Sequence, residues 1–219
     1  MQNTKIIGVY RDKKQIFTEN KKESKGLKVY NEKIIKQKNK EYRSWNPYRS
    51  KLAAAILNGL EFELKQDSNI LYLGAATGTT VSHISDILID GLVYAIENSP
   101  IAMKKMLNIC IKRPNIVPIL EDANHPDRYS TIVNTVDLVY QDISQRNQAD
   151  IFINNINRFL KQAGSGILMV KARSIDVSLN PKKAFEIVEN KLKQKNLKIK
   201  QIVNLSPYEK DHAAILLTI

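Results

Sequence analysis

NILYLGAATGTT, residues 69–80, runs from a short apolar segment through a loop of small side chains into two threonines. Asn69 to Leu73 suits a buried strand, and Thr79-Thr80 can open a helix that continues through Val81 to Leu88. Between them, Gly74, Ala75, Ala76, Thr77 and Gly78 let a ligand press against the backbone, and the helix start offers free N–H groups. The next apolar run, Leu92 to Ile96, ends in Glu97. An acid closing the second strand of a doubly wound sheet is placed to accept ribose hydroxyls. Strand, glycine loop, helix, strand and acid together predict a nucleoside-cofactor pocket.

The loop is not a dinucleotide fingerprint, which would need a further glycine near Thr80, nor a phosphate loop, which would need Gly-Lys-Ser/Thr. No lysine or arginine lies between Lys65 and Lys104, so nothing local offers a cation to a polyphosphate. A nucleoside cofactor without phosphate fits better, and S-adenosylmethionine is the expected one.

Beyond residue 69 the pattern alternates. Strands are expected at 69–73, 92–97, 116–120, 136–140, 166–170, 199–205 and 213–218, and helices near 79–88, 100–112, 147–160 and 182–195. This predicts an α/β fold: a Rossmann-like, seven-stranded, mostly parallel sheet with one reversed edge member, the class I methyltransferase architecture. Upstream, Ile6–Tyr10, Gln15–Phe17 and Gly26–Tyr30 read as strands of a small antiparallel sheet, and Asn31–Lys40 as a charged connector. The division expected is a β-rich N-terminal domain with connector over residues 1–50 and a methyltransferase domain over 51–219.

Charge is unevenly spread. The net charge is +12, and residues 1–51 carry 15 Lys/Arg against 5 Asp/Glu. A basic flank on a near-neutral α/β domain points to a polyanion such as nucleic acid, with a solvated lysine-rich surface as the plain alternative. No apolar run is long enough to span a membrane, and the N-terminus is too charged for a secretory signal. The single cysteine, Cys110, suits a reducing compartment, and a cytoplasmic location is expected.

Functional groups in such a sheet belong just past the strand C-termini. Glu97-Asn98 follows the second strand, Glu121-Asp122-Ala123 the third, Gln141-Asp142-Ile143-Ser144-Gln145 the fourth, and Lys171 the fifth. Asp122 can accept an adenine amino group. Asp142 and Lys171 come from neighbouring strands and are expected to meet, either as a salt bridge or as a pair in which Lys171 helps deprotonate a hydroxyl nucleophile. His212, in the loop before the last strand, reads as a base, a clamp or a surface histidine.

Tyr42–Ala54 (YRSWNPYRSKLAA), Leu71–His83, Val93–Glu97, Glu121–Pro126 and Pro207–Ala213 together resemble the fibrillarin family, and within it the archaeal RNA 2′-O-methyltransferases. The resemblance runs from about residue 41 to the end. It implies methyl transfer from S-adenosylmethionine to ribose 2′-hydroxyls of rRNA and tRNA. It also implies a box C/D ribonucleoprotein with a guide RNA, a Nop-family scaffold protein and a kink-turn-binding protein. Carried over, the cofactor contacts are Thr79, Thr80, Glu97, Asn98, Asp122, Ala123, Asp142, Ile143, Ser144 and Gln145, beside Gly74, Ala75 and Ala76 of the loop. The catalytic constellation becomes Lys51, Asp142, Lys171 and His212; only the resemblance raises Lys51 and His212 to catalytic rank. Thr77, Asn98, Gln141 and Ser144 depart from the family's commoner residues, and the Gly/Arg-rich extension of eukaryotic members is not seen. A non-catalytic subunit of an RNA–protein complex and a small-molecule methyltransferase are the competing expectations.

Overall fold

A computed structural model describes all 219 residues, Met1–Ile219. The first strands, β1 (Gln2–Asn3), β2 (Val9–Asp12), β3 (Gln15–Glu19), β4 (Ile34–Gln37) and β5 (Lys40–Trp45), form an antiparallel sheet in the order β1-β2-β3-β5-β4. Two expectations fail here. Residues 26–30 are not a strand, because the Glu32 carboxylate takes the Val29 and Tyr30 amides and turns the chain. The connector 31–40 instead contains β4 and the hairpin into β5. Its turn residues Lys38 and Asn39 both have positive φ, as a two-residue hairpin loop requires, but carry no glycine to advertise it.

The second sheet follows α1 (Lys51–Leu57), whose start is capped by the Ser50 hydroxyl accepting the Ala53 amide. Its elements are β6 (Ile70–Leu73), α2 (Thr79–Ile87), β7 (Val93–Glu97), α3 (Pro100–Cys110), β8 (Ile116–Leu120), β9 (Val136–Gln141), α4 (Gln148–Phe159), β10 (Leu160–Lys171), α5 (Ala172–Ile175), α6 (Pro181–Gln194), β11 (Lys198–Asn204) and β12 (His212–Thr218). The order is β11-β12-β10-β9-β6-β7-β8. Only β12 is reversed, antiparallel to both β10 and β11. It therefore lies second from the edge and not at the edge, since β11 has crossed beyond it. The strand order reverses between β6 and β9, so the ligand crevice opens past their C-termini.

The two sheets share one apolar core. Ile6, Val9, Ile16 and Trp45 of the N-terminal sheet pack in one cluster with Leu52 of α1, Val81, Ile84 and Ile87 of α2, and the inner faces of β6 and β7. α2 is covered on both sides, which explains why even Ser82, His83, Ser85 and Asp86 are buried. The opposite face of the large sheet is covered by α4 and α6 through Phe152, Ile156, Phe159, Val188 and Leu192. No helix is long and apolar enough to cross a membrane.

Candidate active site

The ends of β6, β7, β8 and β9 surround a cavity of about 290 Å³ lined by Gly74, Ala76, Ile96, Glu97, Asn98, Glu121, Asp122, Ala123, Asp142, Ile143, Ser144 and Gln145. Its floor depends on Gly74. With φ at +82° this residue turns the chain, and its amide and that of Ala75 both donate to the Ile96 carbonyl. A Cβ there would lie 2.5 Å from the Asp142 carbonyl oxygen, so the two strand ends approach as closely as they do only because Gly74 has none.

Two carboxylates on the walls are fixed by amides. Glu97 accepts the Ala76 amide on Oε2 (2.7 Å) and the Ser99 amide on Oε1 (2.8 Å), which leaves lone pairs on both oxygens. Asp122 Oδ1 accepts both the backbone and side-chain N–H of Asn124, and these bonds hold the carboxyl below its ordinary pKa. Asn124 also donates to Gln145 Oε1 at 3.1 Å, bridging the β8 and β9 walls. Asn124 sits inside a matched segment, but its role in joining two strand ends appears only once the strands are neighbours.

Of the expected cofactor residues, three lie outside the cavity. Ala75 is buried beneath the loop. Thr80 is buried and donates to the Ser50 hydroxyl at 2.9 Å. Thr79 faces a second, separate groove. Ile96 and Glu121 join the lining instead.

The reactive groups gather at the mouth. Lys51 Nζ lies 2.6 Å from Asp142 Oδ1, with both side chains about one-fifth exposed. Asp142 was expected to meet Lys171, yet no carboxylate lies within ion-pair distance of Lys171, and Asp142 pairs with Lys51. The reason is the α1 start: its Ser50 cap is tied to Thr80 at the head of α2, which sets the first residue of the helix over the end of β9. Lys171 ends β10 and is the register partner of His212 at the start of β12. The Lys171 backbone is held on both sides by the buried Gln148 side chain, through N–H to Oε1 at 3.1 Å and Nε2–H to the carbonyl at 3.4 Å. Gln148 escaped sequence reading because a polar residue in the first turn of an amphipathic helix looks solvent-facing. His212 Nδ1 lies 2.6 Å from the Lys210 carbonyl, which can only accept, so Nδ1 carries the proton and the neutral ring keeps its lone pair on Nε2. Tyr72 and Tyr140, beneath Asp142, are fully buried, and burial pushes both phenols far above their ordinary pKa, so neither can serve as a base.

The lining chemistry selects its ligand. Four carboxylates, Glu97, Glu121, Asp122 and Asp142, face the cavity, and no lysine or arginine lines it. A phosphate would be repelled. A cationic nucleoside with ribose hydroxyls and an adenine amino group finds acceptors on three walls, so the residues fit S-adenosylmethionine.

The family profile described as Fibrillarin matches residues 1–219. A fibrillarin-like rRNA/tRNA 2′-O-methyltransferase from Methanothermobacter thermautotrophicus is 53% identical over 192 residues, covering 87% of this chain and 86% of that protein. The crystal structure of Aeropyrum pernix fibrillarin with natively bound S-adenosyl-L-methionine superposes with a TM-score of 0.84 at 42% identity, covering 93% of this chain and 89% of that one. A fibrillarin chain from a fibrillarin/Nop5p complex superposes at 0.89 with 43% identity, covering 97% and 98%. With that match along its whole length and relatives this close, the chain belongs to the fibrillarin family.

Proposed function

We propose that this chain is an S-adenosylmethionine-dependent 2′-O-methyltransferase of rRNA and tRNA, acting as the catalytic subunit of a box C/D ribonucleoprotein in which a guide RNA selects the target ribose. The single observation that carries the enzymatic reading is the Lys51–Asp142 pair at the mouth of an acidic, phosphate-excluding cavity, with Lys171 and His212 in register beside it. S-adenosylmethionine, when bound, supplies an electrophilic methyl group on a sulfonium. Glu97 would hold the ribose diol and Asp122 the adenine amino group, which fixes the donor end.

On the acceptor side, the ribose 2′-oxygen must lose its proton as its new bond to carbon forms. Asp142, oriented by Lys51, would accept a hydrogen bond from the incoming hydroxyl. Lys171, without a carboxylate partner, and His212 Nε2 flank the same strand ends and would receive or relay the proton. Alignment of the two reactants supplies a large share of the rate in such sites. The likeness to the fibrillarin/Nop5p chain supports a Nop-family scaffold as the docking partner; a kink-turn-binding protein would anchor the RNA through that scaffold.

The test is a complex assembled from this protein, scaffold, kink-turn protein and guide RNA, with radiolabelled S-adenosylmethionine. Label should enter a matched target RNA and should be absent when the guided position carries 2′-deoxyribose. Equal labelling of both targets would refute ribose specificity. No label in either, with cofactor still bound, would leave a structural subunit. Lys171→Ala should abolish labelling; full activity in that variant would remove Lys171 from the reaction.

A further inference from the structure

The glycine loop has two faces. Gly74 and Ala76 line the cofactor cavity, whereas Thr77 and Thr79 line a separate groove of about 610 Å³ between residues 24–30 of the N-terminal module and α3. Lys28, Arg49, Lys105 and Lys112 line it, all exposed, and no Asp or Glu does. None of the four side chains makes a salt bridge. Some surface lysines elsewhere are paired, such as Lys5 with Glu61 and Lys161 with Asp137, and many are not; what sets these four apart is that they surround one concavity. Four like charges held around one concavity repel one another, and the fold supplies no counter-charge. An anionic ligand would relieve that repulsion.

The two walls are tied to each other by hydrogen bonds. Ser24 donates to the Lys112 carbonyl at 2.8 Å, and Arg113, almost fully buried, bonds Asn20 and Asp86 while also holding the Ser24 hydroxyl. The module is thereby pinned to the end of α3. Lys105 and Lys112, two turns apart along α3 and its terminal turn, are separated by roughly 10 Å along the axis, a spacing suited to non-adjacent phosphates of one strand. Leu27, Val29 and Tyr30 add an apolar and aromatic edge, and Thr77 and Thr79 add hydroxyl donors. Arg49 precedes Lys51 by two residues, and Thr77 and Thr79 belong to the same loop whose Gly74 and Ala76 line the cofactor cavity.

We propose that this groove binds the phosphodiester backbone of the target RNA strand flanking the methylated nucleotide, with Lys28, Lys105 and Lys112 as phosphate contacts; the assignment rests on the RNA methyltransferase reading above. Extended cationic lining with hydroxyl donors matches a sugar–phosphate chain better than an acidic protein segment, which would bring apolar anchors needing deeper pockets than Leu27 and Val29 provide.

The decisive variant is Lys28→Gln/Lys105→Gln/Lys112→Gln. All three side chains are exposed and unpaired, and none belongs to the catalytic or cofactor set. In the guided complex, KM for target RNA should rise about tenfold or more, with kcat and cofactor affinity within about twofold of wild type. The slope of log affinity for a short single-stranded RNA against log salt, measured by fluorescence anisotropy on the protein itself, should fall by about 2 to 3, near 0.7–0.9 per lost phosphate contact. The corresponding Lys→Arg triple variant should behave as wild type. An unchanged KM and slope would overturn the groove while leaving the methyltransferase reading intact. Loss of scaffold binding with an unchanged RNA slope would also overturn it and assign the groove to a protein. If wild type methylates nothing, the functional reading fails, and the anisotropy slope still decides the groove.

Discussion

Lys51 Nζ and Asp142 Oδ1, 91 positions apart in sequence, meet at 2.6 Å where the first residue of α1 reaches the residue after β9. The pair joins the segment leading out of the N-terminal sheet to the mouth of the cofactor cavity. It is partly solvated, so its contribution to folding is modest, within about 1 kcal/mol. Its value lies in holding the Asp142 carboxylate in one orientation. Asp142→Asn should therefore cut single-turnover methylation in the guided complex by about 10²–10⁴-fold, with the urea midpoint nearly unchanged. Lys51→Met should lower the rate by a smaller factor, since it frees the carboxylate without removing it. Equal activity in wild type and Asp142→Asn would exclude the carboxylate from the reaction.

Gly74 and Asp142 make a second prediction. A methyl group at residue 74 would be strained by its positive φ and would press on the Asp142 carbonyl at 2.5 Å and the Ile143 side chain at 2.9 Å. Neither neighbour is a free-swinging side-chain tip. Gly74→Ala should destabilise the protein by about 2 kcal/mol or more and weaken S-adenosylmethionine binding, because the loop and the β9 end must part. Calorimetric titration with the cofactor, beside a thermal melt, checks both. Tight binding with a lowered melting temperature would show that the cavity tolerates the displacement.

The cofactor half of the site was legible in the sequence because its determinants are local. A buried strand, a run of small residues and an acid closing the next strand each leave a mark within a few positions, as Leu73, Gly74 and Glu97 do. The pairing of Asp142 was not legible. Adjacent strand ends suggested Lys171, but the actual partner depends on where the Ser50–Thr80 bond sets α1, a contact 30 positions apart. The antiparallel N-terminal sheet was legible, but its strands β4 and β5 were not. Glu32 in the expected connector and Glu41 and Arg43 of β5 are buried, and buried ions imitate a solvated segment until their partners are known. The antiparallel pairing of β11 and β12 is legible from their short loop, yet the insertion of the reversed strand β12 inside β11 is a matter of strand order, which no residue in either strand encodes.

Those buried ions carry the third prediction. Arg43, with no exposed side-chain surface, donates to Glu32 at 2.7 Å, to Asp86 at 2.7 Å and to Ser82 at 3.0 Å. Asp86 also pairs with Arg113 at 2.9 Å. Removing Arg43 leaves two carboxylates facing one remaining guanidinium in a dry interface. Arg43→Met should destabilise by about 3–5 kcal/mol, and adding Glu32→Gln should recover part of it. The network welds the N-terminal sheet to α2, so both sheets should unfold together. Trp45, the single tryptophan and buried in the N-terminal sheet, reports one side, and far-UV circular dichroism reports the whole. Coincident urea transitions are expected. A Trp45 transition that precedes the dichroism change would show that residues 1–50 unfold as a separate unit.

His83 sits in the same interface and sets the response to acid. Its ring stacks on Trp45 with centroids 4.9 Å apart, Nδ1 lies 2.7 Å from the Thr18 hydroxyl, and Nε2 lies 2.7 Å from the Tyr30 hydroxyl. Both hydroxyls have a second acceptor: Thr18 donates to the Asp86 carboxylate at 2.8 Å and Tyr30 to the Ser44 carbonyl at 2.9 Å. Burial first, then the charges of Arg43 and Arg113, hold the imidazole well below its ordinary pKa of 6.5. Unfolding releases the ring to bind a proton that the folded state refuses. Stability from this group is therefore complete above pH 6.5 and declines as pH falls below it, with a limiting slope of about 1.4 kcal/mol per pH unit. Glu32 responds lower. Burial opposes its ionisation, but Arg43 and the Tyr30 and Val29 amides prevail and lower its pKa, so its loss begins only below its ordinary 4.5. Urea midpoints between pH 5 and 7.5 should fall with acid in wild type and stay nearly level in His83→Gln, whatever the absolute cost of that substitution. Parallel slopes in the two proteins would assign the acid sensitivity to another group.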